Sequence, residues 1–374
     1  LRTVDNAPIE QEIANLADFS RLDHRVFQVC KDLKKKSQKV ILISRNPNIR
    51  LKGNQLGIDT ELFKDEIFPK PCDQYKGIVE VFMPGSSLEK MFTDERGVPV
   101  EEVYQYENFD WIENEFVEIV SDTSKAIGRY TNGRIVRLKY DKSIPGGHRA
   151  LNVEQVVFWE SLLMPPDIAP LVVTKGVAGT GKTYCSLAMA LNAIEKKGDK
   201  KKQTYKQIIV ATPTVTVANE ELGFLPGEID DKVGPYLGGI VDNLKEILRP
   251  KFPDFTNAEL KKKAMEFFER GDIEIQPIGF LRGRTIPNTV FIIDETQNIK
   301  PCDIKDIVTR SAEGSKFIFL GDADQVNNPA LNSRYNGLVY LSEKMKGNPH
   351  TFQITLNSKK SVRSKLAQEA LDIL

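Results

Sequence analysis

Gly176-Val177-Ala178-Gly179-Thr180-Gly181-Lys182-Thr183 matches the pattern G-x-x-x-x-G-K-[ST] at every position. An apolar run at 171–174 precedes it and a helical pattern at 184–194 follows it, so the stretch reads as the turn from a buried strand into a helix. Glycine frees the backbone so that successive amides can face a phosphate, and the helix N-terminus adds positive potential. Lys182 adds a full charge, and Thr183 offers a hydroxyl to Mg²⁺. Gly176, Val177, Ala178, Gly179, Thr180, Gly181, Lys182 and Thr183, with Tyr184 beside them, are the expected binding residues for a nucleoside triphosphate.

The 374 residues suffice for two or three domains with full cores, and 40% hydrophobic with 28% charged residues is a globular mixture. Lys plus Arg and Asp plus Glu each number 52, so no global field draws the chain to polyanions and any nucleic-acid surface has to be local. Cys30, Cys72, Cys185 and Cys302 lack the spacing of a zinc knuckle and suit a reducing compartment. No signal peptide or long apolar stretch occurs, which points to a cytoplasmic protein without a membrane partner. With Leu1 rather than Met as its first residue, the chain is expected to be a processed product or a fragment.

The organisation reads as α/β in three parts. Residues 1–72 carry a helical stretch at 27–33, a strand at 40–44 and a helix closing at 54–58; residues 73–144 form a small β-rich connector with runs at 78–83, 116–120 and 135–138. Pro145-Gly146-Gly147 marks the boundary to a domain over 145–374. There, strand candidates at 171–174, 208–211, 291–293, 317–320 and 352–356 alternate with helices at 153–163, 183–195, 258–270, 301–309 and 361–371. That alternation implies a mostly parallel sheet between helical layers.

Two further strand ends carry chemistry. Phe291-Ile292-Ile293 delivers Asp294 and Glu295, the first suited to Mg²⁺ and the second to orienting a water against the γ-phosphate. Leu320-Gly321-Asp322-Ala323-Asp324-Gln325 brings Gln325 to the same edge as a sensor of the γ-phosphate, or else is a plain surface turn. Gln155, ahead of the first strand, can pair with the adenine edge or sit exposed on its helix. No N-K-x-D guanine signature occurs.

Gly176 to Thr183, Glu221-Leu222-Gly223-Phe224-Leu225-Pro226-Gly227, Arg282-Gly283-Arg284-Thr285, Asp294-Glu295-Thr296-Gln297-Asn298 and Gly321 to Gln325 follow in the order that resembles PhoH-like ATPases. The resemblance covers 145–374 and implies a single RecA-like P-loop NTPase domain related to superfamily 1 helicase motors. It implies ATP and Mg²⁺ as cofactors, Gln155 as the adenine contact, Asp294 and Glu295 as the Walker B pair, and Gln325 as the phosphate sensor. Where the family has Arg-Pro after the second strand, this chain has Thr212-Pro213, which puts a basic contact in doubt.

A single RecA-like domain needs a neighbour to complete its site, so the resemblance implies a homo-oligomer of the hexameric-ring type with an arginine acting in trans. Arg282, Arg284, Arg310 and Arg363 are the candidates, with Arg310 and Arg363 placed in the catalytic set beside Lys182, Asp294, Glu295 and Gln325; Thr183 and Asp294 are the metal set. Lysines between 196 and 206, with Tyr205 among them, could hold a nucleic-acid backbone and stack a base, although a solvated loop is the favoured reading. Single-stranded RNA as partner therefore rests mainly on the resemblance.

Arg21 to Phe27, Val40 to Arg50 and Gly53 to Gly57 resemble the second half of a PIN domain, whose acids hold a divalent metal for RNA cleavage. Asp23 fits one acid, but Asn46 stands where Asp is usual, and the chain starts after the first PIN strand, so a degenerate PIN-like domain is expected. His24 reads as a packing or surface residue. The favoured reading is an oligomeric, Mg²⁺-dependent ATPase coupled to RNA binding or unwinding. The alternatives are an ATP-gated RNA-binding scaffold with weak turnover and a metal-dependent ribonuclease.

Overall fold

The computed structural model describes residues 10–14, 21–36, 39–44, 46–61, 68–103, 109–122, 124–142, 147–194, 205–213, 229–281 and 283–356. The chain divides into two compact units, Leu1–Ile67 and Phe68–Leu374. The expected helix at 361–371, the 221–227 motif, Arg282, Arg363 and the lysines at 196–202 lie outside the described residues.

In the first unit, helix α1 (Gln11–Ala14) and helix α2 (Arg21–Lys35) precede strand β1 (Ile41–Ile43), helix α3 (Pro47–Gln55) and strand β2 (Asp59–Glu61). Helix α2 is longer than the 27–33 stretch expected, with Asp23 in its first turn and Lys34 and Lys35 in its last, where each charge favours the helix dipole. Strands β1 and β2 pair in parallel, with Leu42 opposite Thr60. Ile13, Phe27, Cys30, Leu42 and Ile58 form the small core. Asn46 caps α3 by accepting the Asn48 N–H at 2.9 Å, and Pro47 supplies the preset φ of a first helical residue.

The second unit holds two sheets. Strand β3 (Ile78–Phe82), helix α4 (Gly85–Thr93), and strands β4 (Val98–Pro99), β5 (Phe116–Val120), β6 (Lys125–Thr131) and β7 (Arg134–Arg137) form a five-stranded sheet in the order β3-β5-β6-β7-β4. Its β3–β5 pair is parallel and its other pairs are antiparallel.

Helix α5 (Val153–Leu163), strand β8 (Leu171–Gly176), helix α6 (Lys182–Ile194), strand β9 (Gln207–Thr212), helix α7 (Ile229–Leu248), helix α8 (Asn257–Glu269) and strand β10 (Ile273–Pro277) come next. Strand β11 (Thr289–Ile293), helix α9 (Pro301–Val308), strand β12 (Lys316–Gly321), helix α10 (Gly337–Lys344) and strand β13 (Thr351–Leu356) complete the described α-helices and strands. These six strands form an all-parallel sheet, β10-β9-β11-β12-β8-β13.

Alternate residues along these strands enter different cores. Val172, Val210, Ile292 and Ile318 pack with α5 to α8 on one face. Val173, Ile209, Ile293 and Phe319 pack with α9 and α10 on the other. Both faces are covered, as a parallel sheet requires. Each of the five strands expected from the sequence is present, extended by one to two residues, and β10 is an addition. Its Ile-Glu-Ile-Gln-Pro pattern is half polar because it is an edge strand with Glu274 exposed.

The five-stranded sheet is fixed to β13. The Thr355 N–H donates to the Lys76 carbonyl at 2.8 Å, so the chain before β3 prolongs the pairing of β13. Asn114 donates to the Pro349 and Thr351 carbonyls at 2.9 and 3.4 Å and accepts from Arg129, whose guanidinium lies 5.3 Å from the Phe352 ring centre. Gly77 sits so close that a Cβ there would lie 2.0 Å from the Gln353 oxygen, and its φ of +79° favours glycine. Lys175 donates to the Tyr75 carbonyl, and the Tyr75 N–H donates to Glu343 at 3.1 Å.

Helix α5 is held twice at its C-terminal end. The Glu160 carboxylate accepts the Lys139 and Tyr140 N–H groups at 2.9 and 2.7 Å. The buried Lys316 ammonium donates to the Ser161, Leu162 and Met164 carbonyls at 2.9, 2.8 and 2.6 Å, satisfying the open C-terminus of the helix.

Lys316→Met strands three buried carbonyls and is expected to destabilise the second unit by about 2–4 kcal/mol, read from urea denaturation. Glu115 is only 5% exposed, its Oε2 meets no hydrogen-bond partner among the described residues, and burial pushes its carboxyl up to about 7. Ionising it in the fold is therefore harder than in the unfolded chain, and stability falls as pH rises from the ordinary carboxylate range through about 7. Glu115→Gln is expected to raise the melting temperature near about pH 8 and to change it much less near about pH 5.

Candidate active site

In the parallel sheet, β12 lies between β8 and β11, so the carboxyl ends of these three strands face one cleft. The cavity there has a volume of about 230 Å³. Ala178, Gly179, Gly181, Lys182, Thr183 and Tyr184 line it from the loop and α6, Asp294 and Glu295 from the end of β11, Gly321, Asp322 and Gln325 from the end of β12, and Asn243 from α7.

The loop needs its glycines. Gly176 has φ of +156° and lies so near β13 that a Cβ would be 2.7 Å from the Leu356 oxygen, while Gly181 has φ of +86° at the entry to α6. Lys182 is buried and donates to the carbonyls of Gly176 and Val177, the latter at 2.9 Å. Gln155 is buried beneath the loop: its Nε2 donates to the Thr180 carbonyl at 3.1 Å and its Oε1 accepts the Leu151 N–H at 2.9 Å. One N–H and one lone pair of that amide remain for a further partner.

Thr183 Oγ1 donates to Asp294 Oδ2 at 2.7 Å, and Asp294 Oδ1 accepts the Glu295 N–H at 2.9 Å. A hydroxyl and a carboxylate held together are the hard oxygen donors that suit Mg²⁺. Glu295 adopts the left-handed region, φ 53° and ψ 35°, unusual for a side chain of this size and a form of strain that collects at functional sites. Burial and the neighbouring Asp294 push its carboxyl above the usual range, while the Gln297 hydrogen bond and Lys182 oppose them. Asp322 is also buried and its carboxyl is pushed up by burial, which the Asp324 and Ala178 amides and Lys182 oppose; Oδ1 accepts the Asp324 N–H at 3.1 Å, and Oδ2 makes no hydrogen bond among the described residues.

Tyr184 lies against His148 edge to face, with ring centres 5.1 Å apart, and its hydroxyl meets Nδ1. His148 Nε2 lies 3.2 Å from the Ile247 carbonyl. A carbonyl only accepts, so Nε2 carries the proton and Nδ1 accepts from Tyr184. The Tyr184 ring is thereby fixed at the cavity wall.

The structure does not bring every predicted residue here. Arg310 is exposed in the turn after α9 and does not line the cavity, and Arg284 is exposed with its guanidinium donating to Gln276 at 3.2 Å. Tyr205 is 3% exposed and packed in the core, so its ring cannot stack a base as the lysine-rich segment had suggested. In the first unit the Asn46 oxygen is engaged as a helix cap, and among the described residues no group of three or more His, Cys, Asp and Glu could hold a metal. Sequence reasoning missed Gln297, Asp322, Asn243 and His148; the first two were already inside quoted motifs.

Residues 149–374 match the family described as PhoH-like protein, and residues 3–64 match the family described as PIN domain. The chain belongs to the PhoH family. Protein PhoH2 of Bacillus subtilis (strain 168) is 34% identical over 363 residues, covering 94% of this chain and 77% of that protein. Protein PhoH2 of Mycolicibacterium smegmatis is 26% identical over 352 residues, covering 94% and 74%. A PhoH-like protein of Bacillus subtilis (strain 168) is 38% identical over 202 residues, covering 54% and 57%.

A PIN domain ahead of a PhoH domain is thus the arrangement of the PhoH2 type. Membership of the PhoH family carries a nucleotide-binding, ATPase-type function. Among the described residues no helix is long and apolar enough to cross a membrane.

Gln155→Leu removes the bond that ties the loop to α5 and the bond that ties α5 to the chain before it. It is expected to weaken nucleotide affinity about tenfold, measured by titration with a fluorescent ATP analogue.

Proposed function

We propose that the chain is a Mg²⁺-dependent ATPase with a RecA-like domain over 145–374, coupled to single-stranded RNA and working as a homo-oligomer. The observation that carries this reading is the convergence of Lys182, the Thr183–Asp294 pair, Glu295 and Gln325 on one cavity at the carboxyl ends of three parallel strands. In this reading the amides of 176–183 cradle the phosphates of ATP. The Lys182 ammonium, now on the loop carbonyls, exchanges them for phosphate oxygens. Mg²⁺ held by Thr183 and Asp294 would neutralise charge on the β- and γ-phosphates.

Glu295 then orients a water and takes its proton. The water oxygen bonds to the γ-phosphorus as the bond to the bridging oxygen breaks, and ADP and phosphate leave. Burial and the neighbouring Asp294 raise its carboxyl above the usual range, which makes it a stronger base than an exposed carboxylate. Gln325 reports the γ-phosphate, Gln155 and Tyr184 receive the base and its surroundings, and an arginine from the next subunit, of which Arg310 and Arg363 are candidates, stabilises the transferring group. The exposed position of Arg310, away from its own chain's cavity, supports a role towards a neighbour. The β-rich segment 73–144 acts as a module fixed to this domain.

ATP turnover of the full chain is measured without polymer, with single-stranded RNA and with single-stranded DNA. Stimulation by RNA is expected, and turnover indifferent to polymer counts against coupling. Glu295→Gln is expected to lower kcat by about 100-fold or more while a fluorescent ATP analogue still binds. Unchanged turnover in that variant would remove Glu295 from the chemistry.

A further inference from the structure

Gln297 lies in the short turn Thr296–Asn298 and is 1% exposed. Both N–H groups and one oxygen lone pair of its amide are engaged. Nε2 donates to Glu295 Oε2 at 2.7 Å and to the Gln325 carbonyl at 3.0 Å, and Oε1 accepts the Asp322 N–H at 3.1 Å. Rotating the amide by half a turn would set its oxygen against a carboxylate and a carbonyl, and its NH₂ against an N–H, so one orientation satisfies all three partners. Gly321 leaves the room for it: a Cβ there would lie 2.3 Å from Oε1.

The left-handed backbone at Glu295 ends β11 abruptly, so neither strand nor helix geometry aims its side chain. Among the described residues, the side-chain hydrogen bond to this carboxylate comes from Gln297. Gln297 does not line the cavity, whereas Glu295, Asp322 and Gln325 do. It therefore touches the cavity only through them.

We infer that Gln297 is the positioning residue of the hydrolytic step, fixing the Glu295 carboxylate and tying it to the 322–325 loop so that the base and the γ-phosphate side of the site keep one geometry. This rests on the reading of Glu295 as the group that activates water. Removing the amide leaves the phosphate-binding groups in place and lets the carboxylate turn. The loss falls on kcat rather than on nucleotide affinity.

The test uses the full chain with Gln297→Met, which keeps length without hydrogen bonds, and Gln297→Asn, which keeps the amide but is too short to span its partners. Should the first fail to fold, the second carries the same measurements. The expected result is a fall in kcat of about 10- to 100-fold, with the dissociation constant of a fluorescent ATP analogue within about threefold of the original. In a Glu295→Asp background, where the carboxylate is already displaced, Gln297→Met is expected to cost less than about threefold more.

An unchanged kcat, a fall in affinity matching the fall in kcat, or a full multiplicative loss in the Glu295→Asp background would each overturn the inference. Glu295→Gln separates the two readings. If it turns over normally, the base assignment itself fails; if it is inactive while the Gln297 effects multiply, only the positioning role fails.

Discussion

The hydrogen bond from Thr183 to Asp294, 2.7 Å long, spans the width of an intervening strand. Strand β8 delivers the loop and β11 delivers the acid, but β12 runs between them, so the two groups meet only above the sheet's carboxyl edge. A parallel sheet makes this meeting reproducible, because every strand presents the same end to the same cleft. The remaining parts of the site then occupy positions that this bridge defines. The end of β12 lies beneath it, α6 begins beside it, and Glu295 must turn into the left-handed region to leave the strand.

Much of the polar capacity around the cleft is spent on backbone. Gln155 holds Thr180 and Gln297 holds Asp322 and Gln325, while at the far, amino end of β12 Lys316 holds the end of α5. Each is buried, and a buried polar group without partners is costly, so each fixes a distance between two segments that share no regular hydrogen bonding. The consequence is division of labour. Loops carry the groups that face phosphate, while the Gln155 and Gln297 amides behind them hold those loops still.

The eight-residue loop was legible because its spacing answers to one ligand chemistry, and the strands around it were legible because burial on both faces demands continuous apolar runs. Strand β10 was not, since an edge strand tolerates Glu274 and Gln276. Most of α7 was hidden by Gly234, Pro235, Gly238 and Gly239, which weaken helix propensity in a segment that tertiary packing nevertheless makes helical. Gln297 and Asp322 stood inside recognised motifs, but their partners are 25 to 28 residues away in sequence or defined by a backbone turn, and no local pattern encodes that. The exposed setting of Arg310 and the burial of Tyr205 depend on three-dimensional packing in the same way.

The short pairing between Thr355 and Lys76 has a bearing on solubility. Strand β13 lies at one border of the six-stranded sheet, and a bare border exposes a ladder of amides and carbonyls that invites a stray strand. Lys76 occupies part of that ladder, and the Phe116 and Arg129 side chains press against Phe352 beside it. At the opposite border, the exposed charge of Glu274 discourages the same event. The sheet that presents the nucleotide cleft is thus guarded at both margins against growth into fibrous stacks, by a strap of its own chain on one side and by a carboxylate on the other.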